Sequence, residues 1–277
     1  MTMLTEGQLY GRSRLHGVRI FLSGSVPSLQ RADEYDRIPG APLHIEEAVI
    51  CIARAIFIEG GTLVFGGHPS ISPLVARVIQ DYNIPFPAEA TNVVNKEEQG
   101  MVWKNPRIEI HQSKIYERFL VKDTEYLLRQ PLVDVRWSEA VAGEFFDPAI
   151  KDKPQNEKSL LAMRRAMLSP SLPAAMIAVG GMKGVVDEVN LFREYAPNSP
   201  VYLLGTSGGA TGMLAKRMVD DRNIRRPDSD ALDLVKRFWA GQRRKDDEGE
   251  YFKEREYYVP YGFIAQRMVE EIIAQLN

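Results

Sequence analysis

The sequence predicts an α/β protein built around a mostly parallel sheet. Short apolar runs alternate along it with segments of helical periodicity. Several runs are apolar throughout, as in strands buried on both faces. Four of them end in glycine and other small residues just before a helix is expected.

Val18–Ser23 (VRIFLS), rich in apolar and β-branched residues and followed by Gly24, predicts a first buried strand. After a loop of turn and charged residues, Ile45, Ala48, Val49, Ile52, Ala55 and Ile56 recur at helical spacing until Gly60–Gly61. Thr62–Phe65 predicts a second strand closed by Gly66–Gly67, and Ser70–Gln80 a second helix. This strand–helix–strand–helix order implies parallel pairing. The middle is less regular. Ile108–His111 reads as a strand, Tyr116–Arg129 as a helix and Leu132–Val135 as a short apolar piece. A polar break at Asp152–Glu157 precedes a helix over Lys158–Leu168. Alternation then resumes with strands at Ala174–Val179 and Pro200–Leu204, each followed by a helix, Val185–Tyr195 and Thr211–Val219. The last element is a helix over Phe263–Leu276, with Ile264, Met268, Ile272 and Leu276 on one face.

No clear linker and no repeat of roughly 20–50 residues is visible, so residues 1–277 are expected to form a single domain. Residues 1–17 read as a polar tail. Asp220–Glu256 is the most charged stretch, and aromatic residues (Phe238, Trp239, Tyr251, Phe252, Tyr257, Tyr258) are interleaved with or flank its charges. It reads as a solvated surface, or as a lid or partner-binding segment.

Composition narrows the functional classes. Thirty-five Lys and Arg against thirty-seven Asp and Glu leave a formal net charge of −2. That balance argues against a dedicated duplex-DNA binder. Cys51 is the only cysteine, which excludes an intrachain disulfide and a Cys-based zinc site, and its apolar neighbours predict a buried free thiol. His16, His44, His68 and His111 lack metal-ligand spacing, so no metal site is expected; no cofactor is expected either. Without a signal-like N-terminus or an apolar run of ~18 residues, the chain reads as cytoplasmic.

The chemistry lies in the four strand-to-helix turns: LSGSVP (22–27), FGGHPS (65–70), VGGMKG (179–184) and GTSGGAT (205–211). Glycine permits positive φ and close approach of backbone to a ligand. A helix beginning just after such a turn offers unpaired N–H groups and a positive dipole end, which favour an anion. In open parallel sheets these turns gather at the carboxyl ends of the strands, where ligands bind. The candidate ligand-binding residues are therefore Ser23, Gly24, Ser25, Gly66, Gly67, His68, Ser70, Gly180, Gly181, Met182, Gly184, Thr206, Ser207, Gly208 and Gly209. These turns also have plain structural readings: Gly66–Gly67 as a tight turn with His68 as its cap, Gly180–Gly181 as close packing of helix and strand, and Ser207–Gly208–Gly209 as a simple loop. No Rossmann GxGxxG and no P-loop ending is present.

At these turns the sequence resembles the SLOG superfamily, Rossmann-like domains related to the LOG phosphoribohydrolases. IFLSGSVP, GTLVFGGHPSISPLV, AAMIAVGGMKGVVDEVNLF and PVYLLGTSGGAT look closest to the stand-alone SLOG cluster 3 type. The resemblance implies a Rossmann-like three-layer sandwich that binds a nucleotide-derived ligand, NAD-derived or of the cyclic ADP-ribose type. It also implies a prokaryotic defence or signalling setting, a homo-oligomer and a separate effector protein. LOG enzymes cleave an N-glycosidic bond with a PGGxGTxxE motif and an upstream Arg. The matching positions here are Gly180, Gly181, Gly184 and Glu188, with Arg164 upstream. Val179 replaces the Pro, Lys183 is an additional residue and Val185 replaces the Thr. Three readings follow: a ligand sensor, a nucleotide N-glycosidase using Glu188 and Arg164, and an assembly protein with a vestigial pocket whose contact surface is 238–258.

Overall fold

A computed structural model describes residues 14–27, 34–35, 38, 40–80, 108–130, 132–147, 155–229 and 259–276. Most of the polar tail and the aromatic residues of 238–258 lie outside them. The described elements are β1 (Arg19–Ser25), α1 (Ala41–Ile58), β2 (Thr62–Gly66), α2 (Ser72–Gln80), β3 (Ile108–Ser113), α3 (Lys122–Leu128), β4 (Val133–Ser138) and α4 (Glu157–Met167). They continue with β5 (Ala175–Gly180), α5 (Lys183–Tyr195), β6 (Val201–Leu204), α6 (Gly209–Arg217), β7 (Ile224–Arg225) and α7 (Tyr261–Leu276).

The strands form one seven-stranded sheet of order β4-β3-β2-β1-β5-β6-β7. β1–β2, β2–β3, β3–β4, β5–β6 and β6–β7 all pair in parallel. This parallel sheet flanked by helices is the Rossmann-like architecture the sequence predicts. The order reverses at β1: the chain first builds outward through β2, β3 and β4, then returns to add β5 beside β1.

By contacts the chain divides into two compact units. One comprises Met1–Phe21 and Ile56–Pro173, the other Leu22–Ala55 and Ala174–Asn277. In the first, β2 is buried from Thr62 to Phe65, and α2 buries Val75, Ala76, Val78 and Ile79. β3 is buried along its whole length although it carries Glu109, His111 and Gln112. Glu109 accepts from Arg19 through two guanidinium nitrogens, and its Oε1 lies 2.7 Å from His111 Nε2. Arg136 on β4 closes the cluster 3.2 Å from Glu109 Oε2. Burial alone would push the Glu109 carboxyl up, but the bonds from His111 and Arg19 outweigh it and hold the group below its usual range.

The expected helix over Tyr116–Arg129 is two pieces. Lys114–Phe119 forms a 3₁₀ helix, and α3 starts only at Lys122 because Leu120 and Val121 are extended, with ψ of 137° and 152°. Stacking of Tyr116 and Phe119 edge-on against Phe146, at 4.7 and 5.2 Å, accompanies that break. Of the piece Leu132–Val135, Val133–Val135 opens β4, a full strand in register with β3.

In the second unit the continuous apolar runs Ala175–Val179 and Val201–Leu204 are fully buried. α7 turns Tyr261, Ile264, Ala265, Met268, Val269, Ile272 and Ile273 inward. α1 buries the stripe Ile45, Ala48, Val49, Ile52 and Ala53. Cys51 falls beside that stripe rather than on it, so the thiol is half-buried instead of buried. Partial burial still pushes it up from its ordinary range.

Candidate functional site

Three of the four small-residue turns belong to the second unit: those after β1, β5 and β6. They are bonded to one another. Gly181 N–H donates to Ser25 O at 2.7 Å, and Ala210 N–H donates to Gly181 O at 2.8 Å. Gly180 N–H donates to Ser207 Oγ at 2.7 Å, and that hydroxyl donates to Leu204 O at 2.5 Å.

This mutual contact explains much of the glycine content. Gly180 and Gly181 have φ of +59° and +82°, and Gly208 and Gly209 +67° and +61°, the left-handed region that side chains disfavour. A Cβ at Gly180 would lie 2.9 Å from Ser25 O, and one at Gly209 2.6 Å from Gly181 O. Ser207 is fully buried with its hydroxyl engaged internally, so its side chain joins strand ends. Close packing of backbone therefore accounts for these positions before any ligand is considered.

The turns end earlier than the sequence suggests. α5 begins at Lys183, which puts Gly184 inside its first turn, and α6 begins at Gly209. Each helix leaves its first N–H groups without intrahelical acceptors. No acidic residue occupies the first turn of α5; Glu188 sits in the second turn, half-buried. Stabilisation by the dipole alone, which fades within one turn, is thus a poor account of Glu188. Its Oε2 accepts from Ser23 Oγ at 2.5 Å, and Ser23 is itself 1% exposed. Ser25 is buried, Gly24 and Met182 are half-buried, and the flanking Lys183 is exposed. In the first turn of α6 the Thr211 hydroxyl is buried without a hydrogen-bond partner among the described residues.

Sequence reasoning singled out Thr206 but missed the side chains that gather around it, Asp228, Tyr261 and His44. Asp228, fully buried, accepts from Thr206 N–H at 2.6 Å and from Thr206 Oγ1 at 2.8 Å. Thr206 Oγ1 lies 3.2 Å from Tyr261 OH, which lies 3.2 Å from His44 Nδ1. Burial pushes Asp228 up despite the bonds from Thr206 and Ser229, and it pushes His44 down. The local sequence around Asp228 gives no signal, because it lies within a stretch that reads as solvated charge.

The fourth turn, after β2, belongs to the first unit. Gly67 N–H donates to His111 O at 2.9 Å, and a Cβ at Gly67 would meet the Gln112 amide at 2.8 Å. The His68 carbonyl accepts from Ile71 and Ser72 at the start of α2, while His68 Nδ1 accepts from Ser70 N–H at 3.2 Å. Burial pushes the imidazole down to about 4. It is therefore neutral at pH 7, and acceptance at Nδ1 assigns the proton to Nε2. His68 both caps its turn and offers an N–H donor. Arg164 is half-buried on α4 in this unit and acts electrostatically on Tyr116, whereas Arg165 is exposed. Glu188 belongs to the other unit.

Cavities among the described residues also lie elsewhere. One of about 430 Å³, lined by Ala174, Pro200, Asn223, Arg225 and Gln275, sits at the amino ends of β5–β7. Another, of about 240 Å³, is lined by His111, Arg136, Trp137 and Ser138 in the first unit. The carboxyl ends of the strands, not their amino ends, carry the ligand in open parallel sheets. No group of His, Cys, Asp and Glu suited to a metal ion occurs among the described residues. No described helix is long and apolar enough to cross a membrane.

The description "SLOG cluster3 family" matches residues 39–238. A solved structure described as the X-ray structure of TM1055, a Northeast Structural Genomics Consortium target, is similar over 76% of this chain and 90% of that one. Its sequence identity is 13% and its TM-score 0.40. No curated protein matches.

Proposed function

The chain belongs to the SLOG cluster3 family, and from that premise we propose that it senses a nucleotide-derived ligand at the carboxyl ends of β1, β5 and β6. The observation that carries the reading is the set of three turns bonded to one another, with the start of α5 and the Ser23–Glu188 pair among them. The near-neutral charge supports a small ligand over a polymer, since anion binding then falls to backbone amides and helix starts. In this reading Ser23, Gly24, Ser25, Met182, Gly184 and Thr206 line the ligand, and Gly180, Gly181, Ser207, Gly208 and Gly209 fix the shape of the turns. Within the first unit, the turn of Gly66, Gly67, His68 and Ser70 offers His68 Nε2–H as a donor to a base or phosphate.

The ligand in this proposal is NAD-derived or a cyclic ADP-ribose, the setting is prokaryotic defence or signalling, and a homo-oligomer passes the signal to a separate effector. A thermal-shift panel of AMP, NAD, ADP-ribose and cyclic ADP-ribose tests it. Binding at a hundredfold excess over Kd stabilises by about 2.7 kcal/mol. A flat response to every nucleotide refutes the proposal.

One observation favours a second reading, a nucleotide N-glycosidase: the half-buried Glu188 carboxylate is held by a buried hydroxyl beside the turn of β5. A carboxylate so fixed can stabilise an oxocarbenium-like centre while backbone amides hold phosphate. Release of free base, abolished by Glu188→Gln, supports it; ligand binding without turnover refutes it.

A further inference from the structure

Thr206 is the first polar residue of the loop after β6, and side chains from three separate stretches converge on it or its partner. Asp228 takes both its N–H and its hydroxyl, at 2.6 and 2.8 Å on the same carboxylate oxygen. The other oxygen accepts from Ser229 N–H at 3.0 Å. On the far side Tyr261 OH stands 3.2 Å from Thr206 Oγ1, and His44 of α1 stands 3.2 Å from Tyr261 OH while packing edge-on against its ring. A carboxylate buried to 0% exposure carries a large desolvation cost. Two of its bonds fix backbone positions, Thr206 at the head of the loop and Ser229 just after Asp228 itself, and another holds the Thr206 hydroxyl. In the sequence, Asp228 and Tyr261 stand on either side of the stretch 230–258.

We infer that Asp228 is a positioning residue for ligand recognition, acting through Thr206 to set the shape of the Gly205–Gly209 loop. The charge itself does not face the ligand; it presents the loop. From the loop, Gly209 and Ala210 pack on the turn after β5, where Ala210 N–H reaches Gly181 O. Loss of the Asp228 contact therefore alters two of the three turns that form the site. The inference rests on the nucleotide-binding proposal for its functional half, and its structural half can be read without ligand.

The test uses the full chain and two variants, Asp228→Asn and Thr206→Val. The second keeps the carboxylate and the residue-206 N–H, so it reports even where the first fails to fold. Hydrogen exchange of the free protein over residues 205–211 is measured first, then affinity for ADP-ribose well below each variant's Tm. The expected result is faster exchange confined to 205–211 and to the turn at 180–184, with affinity reduced at least about tenfold in both variants. Unchanged exchange overturns the inference. Faster exchange with wild-type affinity also overturns it, since a merely structural carboxylate would behave that way. If the unaltered protein binds no nucleotide, the functional proposal falls, and the exchange measurement alone decides whether Asp228 shapes the loop.

Discussion

Gly209→Ala is the most exacting test of how the turns are held. Gly209 has φ +61°, and a Cβ there would lie 2.6 Å from Gly181 O and 2.7 Å from Gly180 C. A left-handed conformation costs an ordinary residue roughly 1–2 kcal/mol. Both nearby atoms are backbone, so neither can rotate aside as a side chain would, and forcing in one methyl costs about 1–3 kcal/mol. Moving the loop outward lengthens the 2.8 Å bond from Ala210 N–H to Gly181 O instead. The expected loss is about 3 kcal/mol, which lowers Tm by about 6 °C for a chain of this size. Urea denaturation followed by circular dichroism measures it. Gly262→Ala is the control, because a Cβ there meets nothing within 4 Å, and it is expected to be neutral or to gain up to ~1 kcal/mol. A loss at Gly209 below about 0.5 kcal/mol, the range of an inert surface change, would refute the claim that this glycine exists for backbone contact.

Two further outcomes follow from the first unit. The His68 imidazole falls from 6.5 to about 4 on folding, so the unfolded chain binds the extra proton between those values. Stability is full above about pH 6.5 and declines as pH drops toward 4, by on the order of 3 kcal/mol; His68→Gln should flatten that part of the stability–pH curve. Glu109 is lowered in the folded state, so its contribution is present above the ordinary carboxylate range and lost as acid takes the pH through its folded value. Glu109→Gln leaves Arg19 facing a neutral group in a buried cluster and is expected to cost about 3 kcal/mol at pH 7. A change within experimental error in calorimetry would show that the cluster is not a net contributor.

Much of the fold was legible because its signals are local. Apolar runs such as Ala175–Val179, the 3–4 spacing of α1 and the glycine pairs each depend on neighbours within a few residues. Boundaries shifted where short-range cues were ambiguous: α5 and α6 start two residues before the expected Val185 and Thr211. β3 was harder to interpret, since Glu109 and His111 look solvated until Arg19 and Arg136 are seen beside them. The site shows the same division. The glycines mark where turns occur, but not that Gly209 fills its empty Cβ space with the backbone of Gly180 and Gly181. Ser23 and Glu188 are 165 residues apart in the chain, and His44 and Tyr261 217 apart. No periodicity or spacing rule reaches across such separations; only the order of strands in the sheet brings these residues together.

That arrangement makes the location of binding the sharpest question. Hydrogen exchange of the whole chain with and without saturating ADP-ribose or cyclic ADP-ribose answers it directly. Protection is expected at residues 23–25, at 180–188 and at 205–211, diminished in Glu188→Gln. Protection instead around Ala174, Asn198–Pro200 and Asn223–Arg225, at the amino ends of the strands, or no protection with any nucleotide, would contradict the proposed site.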